Sequence, residues 1–346
     1  MRLLARIGAI AAMTLIVASP AHAKKAVLTF ALWGTQDYLK AEQEAARLFS
    51  KTDPTVEVKP LLIAGNYRES IVTAIAGGKA PDIMIVSVED FGYLSKHGFL
   101  MDLGPWYSAE KSYDMKDVYD ILWRAFTVNG RKYGLPLNCG PVVEYFNPAL
   151  FSRAGLPIPS QYEAQNAWNW DTFRECAQRM TVDANGDGKP EQFGFSNSDN
   201  GIMWGAYIKA NGGDILDDTV SPTKVLLDSK EAAQALTFLQ ELLYKYRAAP
   251  MPRDNFPFAT DAFVKGRLGM YEWWPSRLAV HAGSKMTDYD IAFLPKAPGG
   301  GRSTDFGTSA LVIAKNSKNK DAAWRYAAYR CFSVPFGKAS PMLPRL

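Results

Sequence analysis

Pro136 and Pro141 stand five residues apart near the middle of the chain, and they constrain its fold more than any other feature. Each proline fixes its own φ, lacks a backbone N–H and pushes the residue before it into an extended conformation. The backbone between Pro136 and Pro141 is therefore predicted to be neither helix nor deep sheet, but a strap crossing open space. A β-branched and aromatic run follows at 142–146, and then a short helix that begins near Pro148 and stops at Gly155. A new folding unit starts there, so two lobes joined by a strap are expected.

The flanking segments carry the pattern of α/β lobes. Leu28, Phe30 and Leu32 alternate along a first strand that ends in a turn at Trp33 and Gly34. Tyr38, Ala41, Ala45, Leu48 and Phe49 recur at helical spacing until Asp53 and Pro54 stop the helix. A second strand at 56–63, a helix carrying Tyr67, Ile71, Ala74 and Ile75, and an almost unbroken apolar strand at 82–88 repeat the unit. Beyond the strap, Phe173, Cys176, Ala177 and Met180 mark a helix. The clearest helix runs through Ala232, Ala235, Leu239 and Leu242, with Asp228 placed three before Glu231 as a capping box. Strands at 270–274, 290–294 and 310–315 and a helix at 321–329 complete the pattern.

Arg2, Arg6, the apolar run at 7–18 and the small residues Ala21 and Ala23 predict a signal peptide, 1–23, with no cysteine after it to carry a lipid anchor. The remaining chain is longer than one hydrophobic core usually serves. The formal charge of +4 loses two units with the signal, which favours neither nucleic acid nor a membrane surface as partner. Cys139, Cys176 and Cys331 are odd in number and match no disulfide framework, so no bridge is expected.

Taken in order, these segments resemble the extracellular solute-binding proteins of ATP-binding-cassette importers that take up carbohydrates, the maltose-binding-protein-like family. The resembling residues include Leu28 to Trp33, Gly77-Gly78-Lys79-Ala80-Pro81-Asp82, Gly134-Leu135-Pro136 leading to Tyr145-Phe146-Asn147, and Trp168-Asn169-Trp170-Asp171. Asn211-Gly212-Gly213, Gly266-Arg267-Leu268-Gly269-Met270 and Lys315-Asn316 before Trp324 continue the series. The resemblance implies a two-lobed periplasmic binding protein fold of type II, each lobe a mostly parallel sheet flanked by helices and joined by a hinge. It implies a first lobe from 24–138 with about 286–320, a second from 139–285, and a last helix and tail at 321–346. It also implies capture of a sugar or polyol by a monomer that delivers it to a membrane permease. The family continues through further helices where this chain runs into a tail interrupted by Pro335, Pro341 and Pro344.

A sugar offers an apolar ring face and a rim of hydroxyls, so its cleft needs aromatic platforms beside carboxylates, amides and close backbone. In open α/β sheets ligands sit at the carboxyl ends of strands. Trp33, Glu89 and Asp90, and the adjacent Trp273 and Trp274 follow strands in this way. Alternation sends the last two rings to opposite faces, so only one of them is expected to meet ligand. Trp204, Asn66 and Tyr67 at a helix start, and Gly307 before a strand complete the candidates, while Trp106, Trp123 and Trp324 read as core.

Asp183, Asn185 and Asp187 match the first half of a calcium loop, but Gly194 stands where the bidentate Glu belongs, and a polar turn with no metal is the preferred reading. Gly78-Lys79-Ala80 lacks the glycine and hydroxyl of a phosphate loop, and no catalytic signature surrounds His97 or His281. No cofactor is expected. The alternatives are a secreted glycosidase using paired carboxylates such as Glu89 and Glu272, or a shortened relic without function.

Overall fold

The structure, a computed structural model, describes residues 25–196, 203–218, 222–284, 286 and 288–333. The predicted signal peptide and the tail beyond Ser333 lie outside the described residues. The strands are β1 (Ala26–Leu32), β2 (Val56–Leu62), β3 (Ile83–Ser87), β4 (Thr127–Val128), β5 (Arg131–Lys132) and β6 (Gly134–Pro141). They continue with β7 (Val143–Phe146), β8 (Phe193–Ser196), β9 (Leu268–Trp273), β10 (Asp290–Ala292) and β11 (Phe306–Ile313). One sheet has the order β2-β1-β3-β11-β6 and another the order β10-β7-β9-β8, while β4 and β5 pair alone.

Strand alternation sorts the side chains of each sheet onto two buried faces. In the first, Leu28, Phe30, Leu32, Ile83 and Ile85 pack with Phe49 of the helix Gln36–Thr52 and with Trp324 and Tyr326 of the helix Lys320–Phe332. Ala31, Met84 and Val86 face the other way, onto Ile71, Phe91 and Phe126. In the second sheet, Phe146, Phe195 and Met270 meet Trp168, Trp170 and Phe173, whereas Tyr145, Phe193 and Tyr271 meet Phe263 on the opposite face. Trp123 and Trp324 are buried and Trp106 packs against them from a half-buried position. The three cysteines are free.

Both sheets are mixed. β1 runs parallel to β2 and β3, but β11 runs antiparallel to β3 and β6. In the second sheet β8 and β9 are parallel, and β7 is antiparallel to β9 and β10. The antiparallel members are those next to the interlobe crossings, which is why a mostly parallel pattern was not realised.

Two sequence expectations are corrected here. The segment from Pro136 to Pro141, expected as an open strap, instead belongs to β6, in which Gly134, Leu135, Pro136 and Leu137 are buried. The prolines are tolerated because β6 is an edge strand, where one row of N–H positions needs no partner. In addition, Asp290–Ala292, expected in the first lobe, pairs with β7 in the second sheet, so the return crossing falls after Ala292 rather than at 286.

Only Val142 separates β6 from β7, and the chain returns from β10 to β11 beside it. The Val142 N–H donates to the Asp305 carbonyl at 2.8 Å, and the Thr304 hydroxyl donates to the Val142 carbonyl at 2.6 Å. The two crossings are thus bonded to each other.

Candidate functional site

Strand directions determine which residues collect at the junction of the two sheets. In the first sheet the carboxyl ends of β1, β3 and β6 and the amino end of β11 share one edge, bringing together Trp33, Glu89, Pro141 and Phe306. In the second, the carboxyl ends of β8, β9 and β10 and the amino end of β7 share one edge, with Ser196, Trp273, Ala292 and Val143. The crossings at Val142 and Asp305 join these edges, so each faces the other across the hinge.

On the first lobe, the Trp33 and Tyr67 rings meet edge to face, 4.9 Å between centroids. The Tyr67 hydroxyl donates to the Ala31 carbonyl at 3.1 Å, and burial, with the nearby Asp90, raises its pKa. Asn66 is exposed, and its side chain accepts from the Glu69 N–H at 3.2 Å, so it caps the helix Tyr67–Ala76. Asp90 takes the third position of the helix Val88–Lys96, where it pairs with Arg68, while Glu89 before it is exposed. Asp305 lies close enough to feel Glu89: burial first, and then that carboxylate, raise its pKa.

On the second lobe, Trp273 and Trp274 are half-buried and perpendicular, with centroids 5.5 Å apart. The Arg277 guanidinium lies 4.6 Å from the Trp273 ring centre. Trp274 and Pro275 reach the first lobe: a Cβ on Gly307 would stand 2.2 Å from Trp274 Nε1, and one on Gly140 would stand 3.2 Å from Pro275 Cδ. At Gly307 the second lobe approaches the backbone too closely for a side chain unless Trp274 moves, whereas at Gly140 the contact is only tight. Trp204 opens the helix Trp204–Ala210 and packs, half-buried, against the core that holds Trp170 and Phe238.

The glycosidase pairing of Glu89 with Glu272 is overturned. Glu272 is 1% exposed and lies opposite Glu144 on the neighbouring strand, so its carboxyl has no access to a substrate bond. Asp183 accepts from the N–H groups of Gly186 and Gly188, both at 2.8 Å, and Asn185 and Asp187 accept from Asp187 and Lys189. These bonds make the loop a polar turn, and among the described residues no group of three or more His, Cys, Asp or Glu is arranged around a metal. Asp305, Phe306, Arg277 and Glu144 escaped the sequence reading. Only Glu144 left a signal, as a lone charge in the apolar run 142–146.

Residues 33–329 match the bacterial extracellular solute-binding protein family, and the chain belongs to it. Among curated relatives, the maltodextrin-binding protein MdxE of Bacillus subtilis is 24% identical over 261 residues, 73% of this chain and 57% of that protein. The mannitol-binding protein of Pseudomonas aeruginosa is 25% identical over 334 residues, 90% of this chain and 70% of its own length. The chain thus spans little more than half of the first of these relatives. Among solved structures, the ABC substrate-binding protein Lmo0181 of Listeria monocytogenes in complex with cycloalternan has a TM-score of 0.80 at 24% identity, covering 91% of this chain and 77% of that one. The two-lobed fold is therefore that of the ABC solute-binding proteins.

Proposed function

We propose that this protein is the exported, periplasmic solute-binding component of an ABC importer, a monomer that captures a sugar or polyol between its lobes and hands it to a membrane permease. The observation that carries the reading is the meeting of aromatic and acidic strand ends at the hinge: Trp33, backed by Tyr67, and Glu89 on one edge face Trp273 and Trp274 on the other. Rings of this kind present flat apolar faces to a sugar, and Glu89 and Asp305 offer acceptors to its hydroxyls. The first lobe is assigned 24–141 with about 305–333, and the second 142–304. Family membership and relatives named for binding maltodextrin and mannitol support the class. Ligand touching both edges would favour the closed arrangement, because only that form makes both sets of contacts.

Trp33, Glu89, Gly307 and one of Trp273 and Trp274 are proposed to contact ligand, joined by Asp305 and Phe306. Asn66, Tyr67, Asp90 and Trp204 are assigned to supporting roles, since each is engaged as a cap, a hydrogen-bond donor, an ion pair or core packing. The test is a thermal-shift screen against neutral sugars, polyols and sugar phosphates. A ligand at a hundredfold excess over its dissociation constant stabilises the folded state by about 2.7 kcal/mol. A cooperative melt that no member of the panel moves would sink the reading.

A further inference from the structure

Glu144 of β7 and Glu272 of β9 are register partners on adjacent antiparallel strands, their side chains on the same face of the sheet. They are 0% and 1% exposed. Tyr207, from the helix Trp204–Ala210, donates to Glu272 Oε1. Both oxygens of Glu144 and the second oxygen of Glu272 are buried without a hydrogen-bond partner among the described residues. Among the described residues, the titratable groups acting on the pair are its own two members and Tyr207. Other charges near these elements point elsewhere. Lys209 pairs with Asp214 at the surface, Asp290 of β10 is exposed, and Arg277 and His281 lie with Tyr145 and Tyr271 on the opposite face of the sheet. Trp170, against Tyr207, brings only an indole N–H.

Two carboxylates so enclosed, with no cation among the described residues to compensate them, cannot both be charged. We propose that Glu144 and Glu272 form a proton-bearing pair at neutral pH, and that this pair, through Tyr207, holds the helix of Trp204 against the strand that ends in Trp273. A proton turns an orphaned oxygen into a donor for the facing carboxyl, so the same atom that removes the charge also supplies the missing hydrogen bond. Burial, and for Glu144 also the facing Glu272, raises the pKa of each group, in agreement with the geometry. Glu144 and Glu272 are thus positioning residues behind the second-lobe edge, a role that does not depend on which solute binds there.

The sign of the pH dependence follows. In the unfolded chain both groups ionise as pH rises through about 4.3, while the folded pair keeps a proton, so the folded state binds more protons and stability falls as pH rises. The test compares stability against pH for the wild-type protein and the Glu144→Gln, Glu272→Gln double variant without ligand. Above about pH 5 the wild-type folding constant should fall by up to about tenfold per pH unit relative to the variant for each extra proton held. His281 titrates alike in both. Infrared spectroscopy of the wild type supplies a second readout that needs no variant: a carboxylic-acid carbonyl band at neutral pH that disappears on unfolding at the same pH. Absence of that band in the folded protein overturns the proposal, as does a stoichiometric metal ion replacing the proton or identical pH slopes in the two proteins. None of these readouts uses a ligand, so failure here is separate from failure of the sugar-binding reading.

Discussion

The indole of Trp274, at the end of a second-lobe strand, lies on the backbone of Gly307, in the first strand position after Phe306 on the other lobe. The contact is so close that a single added carbon on Gly307 would stand 2.2 Å from the indole nitrogen. Trp274 is anchored from behind, since its carbonyl accepts the Tyr145 hydroxyl at 3.1 Å. The two lobes therefore touch through a ring held by one sheet and a glycine supplied by the other.

Gly307→Val tests this contact. The added side chain has no room unless Trp274 swings away, so the relative placement of the lobes should change while both cores remain. Ligand affinity should fall about tenfold or more, equivalent to about 1.4 kcal/mol, with a smaller change in melting temperature. Calorimetric titration measures the first and a thermal melt the second. Unaltered affinity would show that Trp274 does not shape the cleft.

Trp33 and Tyr67 share an edge-to-face contact but carry different predictions. Tyr67→Phe keeps the ring and loses the bond to the Ala31 carbonyl, so it should cost about 1 kcal/mol of stability. Trp33→Ala should instead weaken ligand binding by more than it lowers stability, because the ring is half-buried at the strand end. Denaturant unfolding and binding isotherms on the two variants separate these roles.

The last described helix is bound to the first lobe by a buried ion pair. Arg330 donates to both oxygens of Glu42, at 2.8 and 2.5 Å, and the two residues are 4% and 0% exposed. Arg330→Met leaves Glu42 charged and enclosed, which should destabilise the protein by about 3–5 kcal/mol, whereas Glu42→Leu with Arg330→Met should recover most of the loss. Urea midpoints for the three proteins test the coupling.

His281 gives a pH dependence of opposite direction to that of the carboxyl pair. Burial, aided by Arg277, pushes its pKa down to about 4, and its Nε2 meets the Tyr271 hydroxyl at 2.5 Å. As pH falls from about 6.5, the usual value, the unfolded chain takes up a proton that the folded protein refuses. Stability should drop by up to about 1.4 kcal/mol per pH unit down to about pH 4. His281→Gln should flatten this acid limb in a pH series of thermal melts.

Much of this architecture was legible because periodicity reports burial. The run 82–88 was read as a strand covered on both faces, and Ile83 and Ile85 indeed enter one cluster while Met84 and Val86 enter the other. Helix starts were legible to within a residue: Ser229, not Asp228, caps the helix Lys230–Tyr244, because its hydroxyl is the group that reaches the Ala232 N–H. Prolines misled between Pro136 and Pro141, since a sequence does not reveal that the strand holding them lies at a sheet edge. Strand-end reasoning placed Trp33, Glu89 and Trp273 at the junction, but it gave no access to partners distant in sequence. Glu144 and Glu272 are 128 positions apart, and only strand register brings them together.

Solute is proposed to bind between the two strand-end edges and to leave chemically intact. Equilibrium dialysis of the exported chain against a panel of neutral sugars and polyols, with chemical analysis of what is retained, measures it directly. One class of compound should be held at one molecule per chain and recovered unaltered, and retention should fall in Trp33→Ala. Retention of none of them by a cooperatively folded protein, or recovery of a cleaved product, would contradict the proposal.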